Sequence, residues 1–347
     1  MTAPTGVSDV LARCRRAIEP ALAASVERLS PELCLIARYH LGWCDPEGRP
    51  ISAPAGKGIR PTLAMLGAEA VGADPDVGVL GGAAVELVHN YSLIIDDVID
   101  GDTERHHRPT VWSVFGVPQA IVAGDALQVL AHQVLLEAPA EVGAAASAAL
   151  AAATATMIAG QSDDIAFETR PNVTVEQCTA MSSAKTGALL GCATSIGAIL
   201  GAAPGDAVAA LRDYGRNLGL AFQAVDDLLG IWGDPAQTGK PKGSDLRQHK
   251  KSMPVVFALT TTGSEAEELR ALIVGPDDAS NLGAPLSADE VARATYLVEA
   301  CGAKEWTTMS AKTHLDVALG ALERVPLSRA AHRNLADLAV FVVERES

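Results

Sequence analysis

Apolar residues recur at three- and four-residue intervals along most of the chain, and this spacing predicts amphipathic helices. The segments between them are short and rich in proline, glycine and aspartate, and alternating strand patterns are hard to find. No break is long enough for an interdomain linker, so we predict a single all-α domain over residues 1–347, packed as a large bundle. The predicted helical segments are 10–18, 32–41, 63–71, 77–99, 120–136, 142–167, 175–200, 207–231, 255–261, 288–301 and 330–343.

Composition argues against several partners. The chain has 347 residues, a formal charge of −15 and a pI near 4.9, which disfavours nucleic acid and electrostatic docking on an anionic membrane. The six cysteines show no CxxC pairing, as expected for reduced cysteines in a cytoplasmic protein. The segment 142–160 is uncharged, rich in alanine and weakly hydrophobic, so we predict a buried bundle helix there and no membrane span.

A cluster of aspartates ends the apolar segment at 77–99. Asp96 and Asp100 are one helical turn apart and share a face, with Asp97 beside them. Unpaired charge is costly to bury, so carboxylates in an apolar helix indicate a partner. Such a cluster suits hard divalent cations, most naturally Mg²⁺, which completes its shell with water and phosphate oxygens. Taken alone, the cluster also fits a solvated acidic helix end.

A second pair, Asp226-Asp227, ends another apolar segment that contains Gln223. Acids at a helix C-terminus are electrostatically unfavourable, so a purely local role explains this pair poorly. Two such clusters facing each other across a bundle would hold the metal ions of a diphosphate substrate. An acidic chain needs local cations to bind phosphate, and candidates lie at Lys57 with Arg60, at Arg105 with His106, at Lys185, and in a loop with Lys240 and Lys250.

In this order the motifs resemble those of the trans-isoprenyl diphosphate synthases, the polyprenyl synthetase family. Asp96, Asp97, Asp100 and Arg105 meet the pattern Asp-Asp-x-x-Asp-(x)4-Arg-Arg except at its last residue. The pattern Gly-x-x-Phe-Gln-x-x-Asp-Asp-x-x-Asp is met through Asp227, and Gly-Lys-x-x-Arg-Pro and Lys-Thr elements are present. The resemblance covers roughly residues 57–254 and implies an all-α isoprenoid synthase fold with a central cavity.

The resemblance implies chain elongation, in which an allylic diphosphate ionises and isopentenyl diphosphate adds to the resulting cation. Three Mg²⁺ ions would hold the allylic diphosphate through Asp96, Asp100 and Asp226. Asp97 and Asp227 would support metal-bound water.

The same resemblance assigns the groups around the allylic substrate. Arg105, Lys185 and Lys240 would clamp its phosphates. The Lys185 carbonyl, the Thr186 hydroxyl and the Gln223 side chain would face the carbocation.

For the second substrate, the resemblance places isopentenyl diphosphate beside Lys57, Arg60 and His89. Lys250 and Asp245 would belong to a loop that closes over the site. The departing diphosphate would take up the final proton.

Two positions depart from the family pattern. His106 stands where the family has its second arginine, and imidazole lacks the bidentate fork of a guanidinium. We therefore expect weaker use of isopentenyl diphosphate. Gly230 stands where the second motif has its last aspartate, a loss that we expect to be tolerated, and the nearest downstream acid is Asp234.

By the same resemblance, Tyr91 as an aromatic floor and the small Ser92 beside it imply a C15 to C20 product, with C20 favoured, and a homodimer. The alternative is a class I terpene cyclase of the same fold that ionises a preformed prenyl diphosphate. A catalytically silent subunit and a di-iron carboxylate bundle are weaker hypotheses. Silent chains are expected to lose their metal aspartates, and the bundle needs Glu-x-x-His pairs.

Overall fold

The computed structural model describes residues 5–51, 56–235, 241–274 and 285–344. Helices make up almost all of the regular structure in these ranges, so the predicted all-α fold is confirmed. A two-stranded hairpin and a π-helix, Ser183–Gly187, complete the description. The elements are α1 (Thr5–Val26), α2 (Pro31–His40), α3 (Ile59–Ala70), α4 (Val77–Asp100), β1 (Glu104–Arg105), β2 (Arg108–Pro109), α5 (Val111–Phe115), α6 (Val117–Leu135), α7 (Ala140–Thr169), α8 (Val175–Ser182), α9 (Ala188–Leu200), α10 (Gly205–Trp232), α11 (Ser244–Arg247), α12 (Met253–Thr260), α13 (Ser264–Ile273), α14 (Ala288–Ala300), α15 (Ala303–Leu322) and α16 (Arg329–Val343).

Glycine and proline set the ends of the two helices that carry the aspartates. α4 ends at Gly101, whose φ of 68° is a left-handed conformation that glycine adopts without strain. α10 begins directly after Pro204 and ends before Gly233. Both acid clusters therefore lie in the last turns of their helices.

Helices α3 and α9 approach each other backbone to backbone because glycine occupies the contact positions. A Cβ atom on Gly67 would lie 2.1 Å from the Thr194 carbonyl oxygen, and one on Gly197 would lie 2.0 Å from the Ala64 carbonyl oxygen. These helices share their hydrophobic core with α4 and α10. The core thus fixes both acid-bearing helices, while the single domain over residues 1–347 stays a prediction.

Helix α15 was not predicted from the sequence. Its buried positions hold small or weakly hydrophobic residues such as Ala303, Thr307, Ala311 and Ala318, so its apolar periodicity is faint. In the structure α15 packs along α10. The helix is therefore stabilised by close contact with a neighbour, and not by a strong apolar stripe of its own.

The prediction that segment 142–160 forms a buried bundle helix is only half right. The helix exists as α7, but only 33% of its most apolar 18-residue stretch is buried. Ile158 and Ile165 are 43% and 40% exposed, because the chain has no further element that covers this face among the described residues. By length and composition alone, α4, α7 and the segment Val175–Leu200 could each cross a membrane, and the first and last of these are mostly buried.

Candidate active site

The first acid cluster, at the end of α4, has a buried part and an open part. Asp97 is 1% exposed, and its Oδ1 accepts a 2.8 Å hydrogen bond from Arg105 Nε, while its Oδ2 is buried without a hydrogen-bond partner. Asp96 is half-buried and Asp100 is exposed. Burial raises the pKa of Asp96 to about 6, with Lys185 opposing the shift and Asp100 adding to it. This helix end carries negative charge that a bound cation would stabilise.

In the second acid cluster, Asp226 is exposed and Asp227 is 3% exposed. Asp227 Oδ1 accepts a hydrogen bond from Gln223 Nε2, and Oδ2 accepts one from the backbone N–H of Met253, each 2.9 Å long. Gln223 Oε1 in turn accepts a 2.8 Å bond from the Thr186 hydroxyl. Burial raises the pKa of Asp227 to about 7, although a nearby lysine and these hydrogen bonds oppose the shift. The chain of bonds ties the π-helix to α10 and to the start of α12.

The π-helix presents Lys185 and Thr186, and a glycine makes its position possible. A Cβ atom on Gly160 of α7 would lie 2.4 Å from the Lys185 nitrogen, so α7 and the π-helix touch backbone to backbone. Lys185 Nζ donates a 2.6 Å hydrogen bond to Asp164 Oδ2. Single π-turns inside helices are frequent at functional sites. Lys185 thus has an anionic partner, Asp164, within the protein.

A shared set of charges links the two acid clusters. Burial alone would lower the pKa of Lys250, but Asp245 and both aspartates of the α10 pair raise it, so the ammonium stays charged. Burial raises the pKa of Asp100, while Lys185 and Lys250 both lower it. The ends of α4 and α10 therefore face a common charged region.

The acid clusters do not form a ready-made metal cage. Among the described residues, no group of three or more His, Cys, Asp or Glu side chains is close enough to hold one ion. Any Mg²⁺ ion at this site would therefore need water and substrate oxygens to complete its shell.

A cavity of about 140 Å³ lies beside Asp97, and histidine and arginine side chains form much of its lining. Burial lowers the pKa of His40 to about 3 and that of His89 well below its ordinary value, so both are neutral near pH 7. Arg60 Nη1 lies 3.2 Å from His89 Nε2, and Arg60 Nε is buried without a hydrogen-bond partner. Besides Asp97, the charged or polar residues that line the cavity are Tyr39, His40, Glu86, His89, Asn90, Arg105, His106, Arg108 and Thr110.

The hairpin β1–β2 brings Arg105, His106 and Arg108 to this cavity. Its turn residues His106 and His107 have φ values of 51° and 60°, which are uncommon for residues other than glycine. Burial lowers the pKa of His106, and neighbouring Arg105 adds to the shift, so this side chain brings no positive charge near pH 7.

Arg108 was not predicted as a site residue. Its guanidinium lies 4.5 Å from the ring centroid of Tyr39, and its Nη2 donates a 3.4 Å hydrogen bond to the Cys44 carbonyl. Only the hairpin register, which pairs Arg108 with Arg105, directs it to the cavity. Its local sequence does not distinguish it from a solvated loop residue.

The remaining cations predicted to bind substrate are Lys57 and Lys240. Lys57 is exposed and lies 5.4 Å from the Phe341 ring centroid. Neither Lys57 nor Arg60 lines the cavity, but Arg60 contacts the cavity residue His89. Lys240 lies outside the described residues. The geometry therefore supports Arg60 more directly than Lys57.

Two cations of the loop after α10 serve the fold instead of the site. Lys251 Nζ donates a 2.7 Å hydrogen bond to the Phe167 carbonyl and another to the Arg170 carbonyl, at the C-terminus of α7. Arg247 Nη1 donates a 2.9 Å bond to the Leu286 carbonyl. The loop after α10 therefore offers fewer cations for phosphate binding than its sequence indicates.

Tyr91 and Ser92 lie on α4 before the first acid cluster. Tyr91 is half-buried, and a Cβ atom on Gly124 of α6 would lie 3.3 Å from its ring. Ser92 Oγ donates a 2.8 Å hydrogen bond to the His89 carbonyl, so it stays within its own helix. Of these two residues, Tyr91 is the one that projects towards α6.

Two acid-tipped helices, shared lysines and a neighbouring arginine-rich cavity define a helical enzyme that handles diphosphates. Residues 44–283 match the model of the polyprenyl synthetase family. The chain belongs to this family and is a trans-prenyltransferase, as the sequence motifs predicted.

Named relatives cover nearly the whole chain. The (2E,6E)-farnesyl diphosphate synthase of Mycobacterium tuberculosis is 42% identical over 97% of this chain and 93% of that protein. The geranylgeranyl diphosphate synthase of the same organism is 41% identical over 90% and 88%. Among solved structures, a polyprenyl synthetase from Streptomyces coelicolor has a TM-score of 0.92 at 48% identity, covering 97% of this chain and 99% of the other.

Divalent metal accompanies the substrate in related structures. A geranylgeranyl pyrophosphate synthase from Corynebacterium glutamicum, 29% identical with a TM-score of 0.78 over 98% of each chain, was solved with isoprenyl diphosphate and magnesium. Family members therefore use divalent metal and prenyl diphosphates. The comparisons give no support to the terpene cyclase alternative.

Proposed function

We propose that this protein condenses isopentenyl diphosphate with an allylic diphosphate to give a C15 to C20 trans-prenyl diphosphate. One observation carries the proposal: beside the acid clusters with Lys185 and Lys250 lies a second cavity, which Arg108 and His89 line and which Arg60 supports through its 3.2 Å contact with His89. Elongation needs sites for two diphosphates, whereas cyclisation needs one. This pairing favours the two-substrate reaction.

Magnesium fits the residues of the acid clusters. The ligands are hard carboxylate oxygens, the pKa of Asp96 is raised by burial, and Asp97 Oδ2 is buried without a partner. We propose that Asp96, Asp100 and Asp226 hold three Mg²⁺ ions, which would stabilise the charge of the leaving diphosphate. Because Asp97 and Asp227 are buried and hydrogen-bonded, they would position the open aspartates and any metal-bound water.

The protein groups around the allylic substrate have distinct tasks in this proposal. Lys185, Arg105 and Lys240 would bind its phosphates and help the C–O bond to ionise. The Lys185 carbonyl, Thr186 and Gln223 would face the allylic cation. The hydrogen bond between Thr186 and Gln223 fixes both side chains before substrate arrives.

Isopentenyl diphosphate would occupy the second cavity with Arg60 and His89 as contacts and Lys57 at its edge. Neutral His89 would donate a hydrogen bond, and Arg60 would supply charge. Since His106 brings no charge near pH 7, Arg108 would supply the second guanidinium on the hairpin. The departing diphosphate would accept the proton lost from the new chain.

The floor that limits product length would be Tyr91. Its ring lies beside Gly124 of α6. Tyr91 precedes Asp96 on α4 by about one and a half helical turns. We favour a C20 product, and relatives of both product classes match this chain at similar identity.

We further propose a cytoplasmic homodimer. Large apolar side chains are exposed on adjacent helices α6 and α7, and a second copy would cover them. The exposed residues are Ile121, Val122, Val129, Ile158 and Ile165.

The test is incubation with Mg²⁺, isopentenyl diphosphate and each allylic starter of the C5, C10 and C15 classes. Product length is read by mass spectrometry. Chain elongation that Asp96→Asn and Asp226→Asn both abolish would support the proposal. Failure with every starter, combined with consumption of geranylgeranyl diphosphate alone, would overturn it.

A further inference from the structure

The two arginines of the hairpin β1–β2 differ in how their charge is compensated. Arg105 Nε donates a 2.8 Å hydrogen bond to Asp97 Oδ1, so a carboxylate balances this guanidinium. Arg108 lies directly opposite Arg105 in the hairpin, and no carboxylate among the described residues forms an ion pair with it. Like charges directly opposite each other on paired strands are destabilising. An anion bound in the adjoining cavity would relieve this repulsion.

Neutral groups hold Arg108 in place. Its guanidinium carbon lies 4.5 Å from the centroid of the Tyr39 ring, in the last turn of α2. Its Nη2 donates a 3.4 Å hydrogen bond to the Cys44 carbonyl, in the segment that follows α2. An aromatic ring attracts a guanidinium without neutralising it, and most of the five N–H groups stay available for an anion. Tyr39 can therefore position Arg108 and leave its charge to a ligand.

Tyr39 is itself buried and has little freedom to move. It is 4% exposed, and its hydroxyl donates a 2.7 Å hydrogen bond to the carbonyl of Pro109, the residue after Arg108. Phe115 of α5 packs against the Tyr39 ring edge to face, with the ring centroids 5.3 Å apart. Tyr39 and Arg108 both line the cavity that also contains His89. One aromatic side chain thus contacts both the guanidinium and the backbone beside it.

We propose that Tyr39 is a positioning residue for the second substrate, because it holds the Arg108 guanidinium where it can bind the diphosphate of isopentenyl diphosphate. This inference rests on the proposed function, which gives Arg108 that substrate. The neighbouring turn residue His106 is exposed, and imidazole lacks the fork of a guanidinium. The hairpin would therefore bind the diphosphate through an arginine on its second strand, directed there by a residue of α2.

The test is steady-state kinetics of chain elongation, with the KM measured separately for isopentenyl diphosphate and for the allylic substrate. Tyr39→Leu should raise the KM for isopentenyl diphosphate by about tenfold, which corresponds to the loss of one partly buried cation–π contact. The kcat and the KM for the allylic substrate should change little, because the groups around that substrate are untouched. Tyr39→Phe keeps the ring and loses only the bond to Pro109, so its KM should rise less.

A double-mutant cycle separates positioning from general damage. Arg108→Gln should raise the KM for isopentenyl diphosphate at least as much as Tyr39→Leu. The double variant Tyr39→Leu/Arg108→Gln should be no worse than Arg108→Gln alone, because Tyr39 acts through Arg108. The matched control is Tyr296→Leu, which removes an exposed ring 5.1 Å from the Arg293 guanidinium and away from the cavity. It should leave both KM values unchanged.

Circular dichroism would show that every variant is folded. If Tyr39→Leu does not fold, Tyr39→Met takes its place in the cycle, because the flexible methionine side chain adapts to a packed site without supplying a ring.

The outcomes distinguish the inference from the proposed function. If Arg108→Gln leaves the KM for isopentenyl diphosphate unchanged, the role that the proposed function gives to Arg108 is wrong. If Arg108→Gln raises this KM and the ring-free variant of Tyr39 does not, only the inference is overturned. Additive increases in the double variant would overturn it equally, since Tyr39 would then act independently of Arg108.

Discussion

Replacing Asp227 with alanine tests how much the buried half of the second acid pair supports the fold. Asp227 is 3% exposed and accepts two hydrogen bonds of 2.9 Å, from Gln223 and from the backbone of Met253. Alanine would leave both donors without an acceptor, at about 1–3 kcal/mol each. We therefore expect the free energy of unfolding to fall by about 2–6 kcal/mol, a large share of the roughly 5–15 kcal/mol of a typical folded protein.

Urea unfolding followed by far-UV circular dichroism measures this loss, and two further variants calibrate it. Asp227→Asn keeps one acceptor oxygen, and the Gln223 amide can rotate to accept from the new NH₂ group, so we expect a loss of about 1 kcal/mol. Asp213→Ala is the matched control on the same helix. Its side chain is 48% exposed and pairs with Arg324 at 2.7 Å, so its loss should stay below about 1 kcal/mol.

The comparison between these variants decides the question. If Asp227→Ala loses no more than Asp213→Ala, the two hydrogen bonds of Asp227 do not hold α12 to α10. A large loss for Asp227→Asn as well would show that the negative charge matters more than the acceptor geometry.

Three further predictions concern the site. Tyr91→Ala should lengthen the product, since the ring packed at Gly124 is removed, and unchanged length by mass spectrometry would rule out this floor. Lys185→Met should lower kcat/KM by about 10²–10³-fold in steady-state assays, with Lys185→Arg less affected, because the positive charge near the first acid cluster is lost. The pKa of His40 is about 3 in the folded protein against an ordinary 6.5, so folding favours the neutral imidazole. Its contribution to the free energy of unfolding is fully present above pH 6.5 and is lost as the pH falls towards 3. Between about pH 8 and pH 5, the free energy of unfolding measured in urea should therefore fall by about 2 kcal/mol less for His40→Asn than for the unmodified protein. Equal decreases in both proteins would contradict this cause.

Most helices could be predicted because their buried faces carry large apolar residues at helical spacing. Helix α15 could not, since its buried face consists of residues such as Ala311 and Thr307 that also occur on exposed helices. The exposed face of α7 could not be foreseen either. Apolar composition predicts that a surface will be covered, but it does not say whether the chain itself or another molecule covers it.

The acid clusters could be found from the sequence because charge within an apolar segment is conspicuous. The direction of a side chain is not visible in this way. Lys250 and Lys251 are neighbours of identical chemistry, yet one lies among carboxylates and the other donates to carbonyls at the end of α7. The same limit hid the place of Asp245, which depends on how a later segment packs against Gly230.

The two members of each aspartate pair have different surroundings. Adjacent residues on a helix point about 100° apart, so one member of each pair can face the site while the other faces the protein. Asp97 uses its buried position to bind Arg105, and Asp227 uses its own to bind the start of α12 at Met253. The residue bound by Asp97, Arg105, is itself a cation of the hairpin that lines the cavity. The residue bound by Asp227, Met253, follows the cation Lys250 by three positions. In the proposed function, the buried aspartate of each pair would position a phosphate-binding cation, and its neighbour, Asp96 or Asp226, would bind metal.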